Sequence, residues 1–268
     1  MLRLPAYFVL LFLCLWVAST PAAEKASSTP APEATRHHAA YLAWMATLPP
    51  EQQAWEKLLQ QNLGKANRLF YERDRVAGKQ TEYDYAQDDP RLPRVLLIGD
   101  SISCGYTLPV RQALAGKANV HRAPENCAAT ANGVKKLDVW LDGQKWDLVY
   151  FNFGLHDLTT PPAEYEQRLD EITTRLVNTG AKIVWASTTP APPDTAEGAS
   201  ICAAIVERNA IAAAVMKKHR IPTDDLFTFI TPHVAEIRKP HDIHYNAEGY
   251  KLLGQQVAAT IASNLGSR

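Results

Sequence analysis

The chain has no excess of either charge: lysine plus arginine number 28, aspartate plus glutamate also 28, and the formal net charge is zero. Surfaces that hold nucleic acid or anionic lipid need a basic excess, so neither partner is expected. Glycine loops of the forms G-x-x-x-x-G-K-[ST] and G-x-G-x-x-G are missing, which leaves phosphate cradling unsupported. Cysteine is scarce, with four in 268 residues. The spacings of Cys104, Cys127 and Cys202 match no zinc pattern. No metal and no cofactor is expected, and no internal repeat is present.

What the chain does have begins with Arg3, an apolar run from Ala6 to Ala18, and the small residues Ser19-Thr20-Pro21-Ala22-Ala23. This is the layout of a secretory signal over 1–23, and the run is short for a membrane span. A retained N-terminal anchor is the alternative. Cys14 follows Leu13, not a small residue, which argues against lipid attachment. The expectation is a periplasmic or extracellular protein with no stable membrane insertion once the signal is cleaved. In such a compartment two of the three remaining cysteines could pair, leaving one free.

Residues 24–38, rich in Ala, Ser, Thr and Pro, read as a flexible linker, with His37 and His38 in solvent. Residues 39–92 read as a helical extension. Pro50 opens a helix along which Trp55, Leu59, Leu63, Ala66 and Phe70 recur at helical spacing, and Trp44 and Trp55 are assigned to packing, with a sugar-stacking surface as the alternative. The rest, 93–268, alternates strands with helices. Strands are expected at Arg94–Ile98, Asn119–Arg122, Asp147–Phe153 and Ala181–Ser187. Helices are expected at Leu108–Leu114, around Leu169 and Ile172, around Ile205 and Ala212, and after Asn246. This alternation implies a three-layer α/β/α sandwich with a central parallel sheet.

Chemistry-bearing residues fall where such strands end. Gly99-Asp100-Ser101 follows the first strand, Pro124 to Gly133 the second, and Gly154-Leu155-His156-Asp157 the third. His241-Asp242-Ile243-His244 precedes the last helix. Open α/β sheets place their chemistry at these carboxyl ends. A serine hydroxyl is a weak nucleophile until an imidazole takes its proton, so Ser101 would need a histidine from one of the other stretches.

These four motifs, in this order, resemble the SGNH/GDSL hydrolases over about the last two-thirds of the chain. The resemblance extends to an exported bacterial branch for which carbohydrate-esterase roles are inferred. It implies a flavodoxin-like fold, Ser101 as nucleophile, His244 as base, and Gly99, Asp100, Gly154 and Asp157 as supports. Its oxyanion hole maps onto the backbone of Ser101, onto Ala128 where the family has glycine, and onto His156 where the family has asparagine. Gly133 is then a turn residue. The family's acid position holds His241, so Asp242, one residue nearer, is assigned to orient His244, with a backbone carbonyl as the alternative. The implied function is a secreted serine esterase removing short acyl groups, acetyl above all, from a saccharide. The rivals are a lysophospholipase or thioesterase, an acyltransferase using the same chemistry, and a non-catalytic glycan-binding module.

Overall fold

The computed structural model describes residues 32–191, 196–239 and 242–266. Residues 1–23, read as a signal, residues 24–31 of the stretch read as a linker, and His241 lie outside the described residues. Three helices come first: α1 (Pro32–Met45), α2 (Pro50–Asn62) and α3 (Lys65–Val76). Then follow β1 (Arg94–Ile98), α4 (Ser101–Ala113), β2 (Asn119–Arg122), α5 (Thr130–Leu141) and β3 (Leu148–Phe151). After a 3-10 turn at Leu155–Asp157 come α6 (Pro162–Val177), β4 (Lys182–Ala186), α7 (Ala196–His219) and β5 (Thr223–Asp224). The chain closes with α8 (Leu226–Ile230), α9 (Val234–Ile237) and α10 (Ala247–Leu265).

The strands form one parallel sheet in the order β2-β1-β3-β4-β5. Strand residues alternate between faces, so β1 sends Val95 and Leu97 to one core and Leu96 and Ile98 to the other. The first core is covered by α4, α8 and α10, the second by α5, α6 and α7. This is the expected three-layer α/β/α sandwich. Strand order reverses between β1 and β3, and a crevice opens there at the carboxyl edge.

On the first face α4 and α10 lie unusually close, and glycines permit it. A Cβ on Gly254 would sit 2.4 Å from Pro109 Cβ, and one on Gly105 would sit 2.1 Å from Tyr250 Cε1. Both helices start at the carboxyl edge of the sheet, α4 directly after β1. Their contact therefore sets the spacing between Ser101, at the head of α4, and the loop that feeds α10.

The N-terminal helices pack around their own small core of Tyr41, Leu59, Leu63, Tyr71 and Tyr83, with Trp44 and Trp55 against it. At its centre the buried Glu56 carboxylate accepts hydroxyl hydrogen bonds from Tyr41 at 2.5 Å and Tyr71 at 2.7 Å. Trp55 Nε1 donates to the Tyr83 carbonyl at 2.7 Å, which fastens this arm to the segment entering β1.

Several expectations need correction. The linker is shorter, because α1 begins at Pro32, and His38 is not free but lies 2.9 Å from Glu72. The helix expected through Phe70 is two: Leu63 (ψ 124°) and Gly64 (ψ 151°) are extended and restart it. The restart turns Ala66 and Phe70 outward, leaving Phe70 58% exposed. Helix α4 starts at Ser101 and not Leu108, since the Asp100 side chain accepts the Ile102 N–H and caps it. Gly133 is not a turn residue. It lies inside α5, where a Cβ would meet Ile172 Cδ1 at 2.6 Å and Phe153 Cζ at 2.9 Å.

Glycine inside a helix costs about 1 kcal/mol relative to alanine, so helix propensity alone would make Gly254→Ala stabilising. Overpacking against Pro109 should win instead. We expect Gly254→Ala to lower unfolding stability by about 1–3 kcal/mol in urea titrations; a raised midpoint would show that the helices part easily.

Candidate active site

Asp100 fills the cap position of α4, so the Ser101 hydroxyl is not used in capping. Ser101 Oγ lies 2.9 Å from His244 Nε2. On the ring's other side, His244 Nδ1 lies 2.7 Å from Asp242 Oδ1. A carboxylate only accepts, so Nδ1 carries the proton and Nε2 is free to accept from the serine hydroxyl.

An acid only two residues before the histidine reaches it because of the local turn. Lys239 N–H donates to the His244 carbonyl at 3.0 Å, and Arg238 and Tyr245 form an antiparallel bridge. Within this closed turn Asp242 Oδ1 also accepts the His244 backbone N–H at 3.1 Å, an Asx-type bond to the residue two on. Partial burial pushes the Asp242 carboxyl up, but the ring and backbone bonds from His244, with Lys239 near, outweigh it. The carboxyl is held below the usual carboxylate range and stays ionised at neutral pH.

The nucleophile turn is clamped by a residue that the sequence presents as an ordinary strand end. Arg122 is 1% exposed and makes no ion pair among the described residues, the Glu82 carboxylate acting on it from farther away. Its Nη1 donates to Ser103 Oγ at 2.6 Å, and its Nη2 donates to the Gly99 carbonyl at 2.8 Å and the Asp100 carbonyl at 3.3 Å. Burial works against its charge, yet the neighbouring polar groups keep the guanidinium protonated. In the sequence it is only an arginine closing the short strand Asn119–Arg122, which by itself does not point to a clamp.

The supporting residues are placed as follows. Gly99 is packed against Ser103, whose Oγ a Cβ would meet at 2.8 Å. Gly154 leaves room for Thr188 Oγ1, which a Cβ would approach to 2.2 Å. Asp157, fully buried, accepts the Thr130 N–H at 2.8 Å and the Thr130 hydroxyl at 2.6 Å, tying the third loop to the start of α5.

The three expected oxyanion donors differ in standing. Ser101 is the first residue of α4, so its N–H has no helical acceptor. Ala128 takes a left-handed conformation (φ 52°), which explains why glycine suits the position. Its N–H is already donated to Asn126 Oδ1 at 3.1 Å. His156 is exposed on the 3-10 turn, and its ring bonds to no described residue.

Ser101 opens into a cleft of about 420 Å³ whose walls include Asn67, Phe70, Asp74, Glu82 and Asn126. Neither Ala128 nor His156 lines it. Asn126 and the α3 wall were not singled out from the sequence, since nothing local marks them. Cys104, Cys127 and Cys202 are free thiols, and burial pushes the Cys104 thiol up to about 11, which removes it as a rival nucleophile. Among the described residues no group of histidines, cysteines and carboxylates could hold a metal ion.

With this geometry in view, the comparisons take on meaning. The model of the GDSL-like lipase/acylhydrolase family matches residues 97–252. The chain belongs to that family. It is a carboxylic ester hydrolase of the SGNH/GDSL superfamily. A lipase/acylhydrolase from Enterococcus faecalis shares its fold at 22% identity and a TM-score of 0.57, covering 63% of this chain and 95% of its own. TesA does so at 22% identity and 0.54, covering 63% and 98%. The acetylxylan esterase Axe2 from Geobacillus stearothermophilus does so at 13% and 0.53, covering 66% and 95%. Comparison with curated proteins gave no match.

Lysine keeps the Arg122 charge but not its fork. Arg122→Lys should therefore lower kcat by about 10- to 100-fold, the scale of a misplaced reacting group, with little change in KM. A kcat within twofold of wild type would show that the Asp100 cap alone holds the turn.

Proposed function

We propose that this esterase removes acetyl groups from a saccharide outside the cytoplasm, through an acyl-enzyme on Ser101. The hydrogen-bond chain from Asp242 through His244 to Ser101 carries this reading. As Ser101 Oγ attacks the ester carbon, its proton passes to His244 Nε2, and Asp242 steadies the resulting imidazolium. The carbonyl oxygen becomes an oxyanion at the positive end of α4, where the Ser101 N–H meets it. His156 supplies a second donor from the neighbouring turn, and Ala128 shares its N–H between Asn126 and the oxyanion. The imidazolium then protonates the departing sugar oxygen. Water, deprotonated in turn by His244, frees acetate and restores the serine.

Short acyl groups and a polar alcohol suit the cleft better than long chains do. Asn67, Asp74, Glu82 and Asn126 line it, and an alkyl chain laid against them would strip water from two carboxylates. The acetylxylan esterase with the same fold is consistent with this choice. The N-terminal signal layout supports export to the periplasm or the medium. The Ser101–His244 contact speaks against a non-catalytic glycan-binding module.

Against a panel of acetylated polysaccharides and a series of aryl esters of rising chain length, the wild type should release acetate and prefer two-carbon acyl groups. Ser101→Ala should abolish both activities. A maximum at long acyl chains would favour the lysophospholipase or thioesterase reading.

Losing one oxyanion donor costs about 10²–10³ in kcat. We expect that loss for His156→Ala and substantial recovery for His156→Asn, whose amide also donates. Equal rates for the two variants would remove His156 from the hole.

A further inference from the structure

We infer that the N-terminal arm builds a subsite for the sugar side of the ester, with Phe70 as its stacking platform and Glu82 and Asp74 as its hydroxyl acceptors. This inference rests on the saccharide-esterase reading and adds the residues that recognise the alcohol.

The arm lies outside the part of the chain that matches the family, residues 97–252. The solved structures of the same fold, covered over 95% or more of their own length, account for only 63–66% of this chain. Yet the arm forms one wall of the cleft into which the nucleophile opens. Asn67, Phe70, Tyr71 and Asp74, at positions i, i+3, i+4 and i+7 of α3, make a single stripe on that wall. Tyr71 turns into the arm's core to meet Glu56. The other three stay at the cleft.

Each remaining group is unusual for a purely structural helix. Phe70 is 58% exposed, the most of any large apolar side chain among the described residues, and the Arg73 guanidinium lies over one face of it, 5.2 Å from the ring centroid. Glu82, half-buried across the cleft, makes no hydrogen bond among the described residues. Asp74 is held by Arg73 at 3.0 Å and Lys79 at 3.4 Å, both on Oδ1. An aromatic face takes the C–H face of a pyranose, and carboxylates and a carboxamide take its hydroxyls. Asp74 Oδ2 and the Glu82 carboxylate are the acceptors left for those hydroxyls.

The wall is firm enough for this work. Glu56 ties α1, α2 and α3 together through Tyr41 and Tyr71. Arg75 pairs with Asp84 at 2.9 Å, and Lys136 Nζ of α5 donates to Asn62 Oδ1 at 3.2 Å, joining arm to sandwich. A prebuilt wall spares the ordering cost of recruiting a mobile one.

The test compares kcat/KM for acetylated xylo-oligosaccharides with kcat/KM for 4-nitrophenyl acetate, which delivers the same acyl group without a sugar. In Phe70→Ala and in Glu82→Gln the ratio of the two should fall about tenfold, through KM for the oligosaccharide. Phe70→Trp should keep the ratio. Leu69→Ala, an exposed neighbour outside the cleft, should not move it. An unchanged ratio in both Phe70→Ala and Glu82→Gln, with saccharide acetate still released, would overturn the subsite alone. Aryl acetate turnover with no release from any acetylated saccharide would overturn the saccharide reading, and the subsite with it.

Discussion

The site exists because α4 and α10 pack tightly against each other at two glycines. Ser101 belongs to the first helix and His244 to the loop feeding the second, 143 positions apart in sequence yet 2.9 Å apart at their side chains. Gly105 and Gly254 remove the side chains that would hold the helices apart, and Tyr250 and Pro109 fill the space so created. Core packing at native density turns this approach into a fixed distance. A nucleophile at the head of one packed helix and a base in the short turn before the other need little rearrangement before reaction.

Around that pair, the polar groups divide the work of holding backbone. Asp100 caps α4, Arg122 gathers the carbonyls of the turn before the serine, and Asp157 binds the start of α5. Asn152, also buried, donates to the Ala186 carbonyl at 2.8 Å and to Thr188 Oγ1 at 3.1 Å, knitting β3 to the loop after β4. Buried polar groups are costly when left unpaired, and here most of the polar atoms around the reactive turn are paired, Arg122 Nε and Arg238 Nε being exceptions. The carboxyl edge of the sheet is thus built as a lattice of side-chain-to-backbone bonds. The base turn joins it through Arg238, which donates to the Pro190 carbonyl at 2.6 Å.

How much of this could be read beforehand follows from the range of each interaction. The Gly-Asp-Ser turn, the buried strands and the Asn246 cap are local patterns, and they stand where the sequence places them. Asp242 was legible as the partner of His244, although its short spacing needed a turn that only folding supplies. The clamp by Arg122 was not legible, because its acceptors are backbone carbonyls that any sequence has. The split between α2 and α3 was missed because Gly64 fits a helical pattern tolerably, and the periodicity ran on beyond it. Gly133 was misread for a related reason: a glycine chosen for close packing looks, in sequence, like one chosen for a turn. Asn126 and the α3 wall depend on how two regions dock, and no local pattern encodes docking.

In the proposed reading the arm changes what the fold recognises and leaves its chemistry in place. The sandwich supplies nucleophile, base and acid from its carboxyl edge, and the arm adds a wall bearing an exposed ring and free acceptors. Fold and function separate in this way generally, with scaffolds retained and rims varied.

The account stands on Ser101 being activated by His244. Intact-protein mass spectrometry after brief exposure to a fluorophosphonate tests this most directly. We predict one adduct per chain, mapped to Ser101, whose formation slows by orders of magnitude in His244→Ala. An unlabelled protein, a label on another residue, or equal labelling rates with and without the imidazole would contradict it.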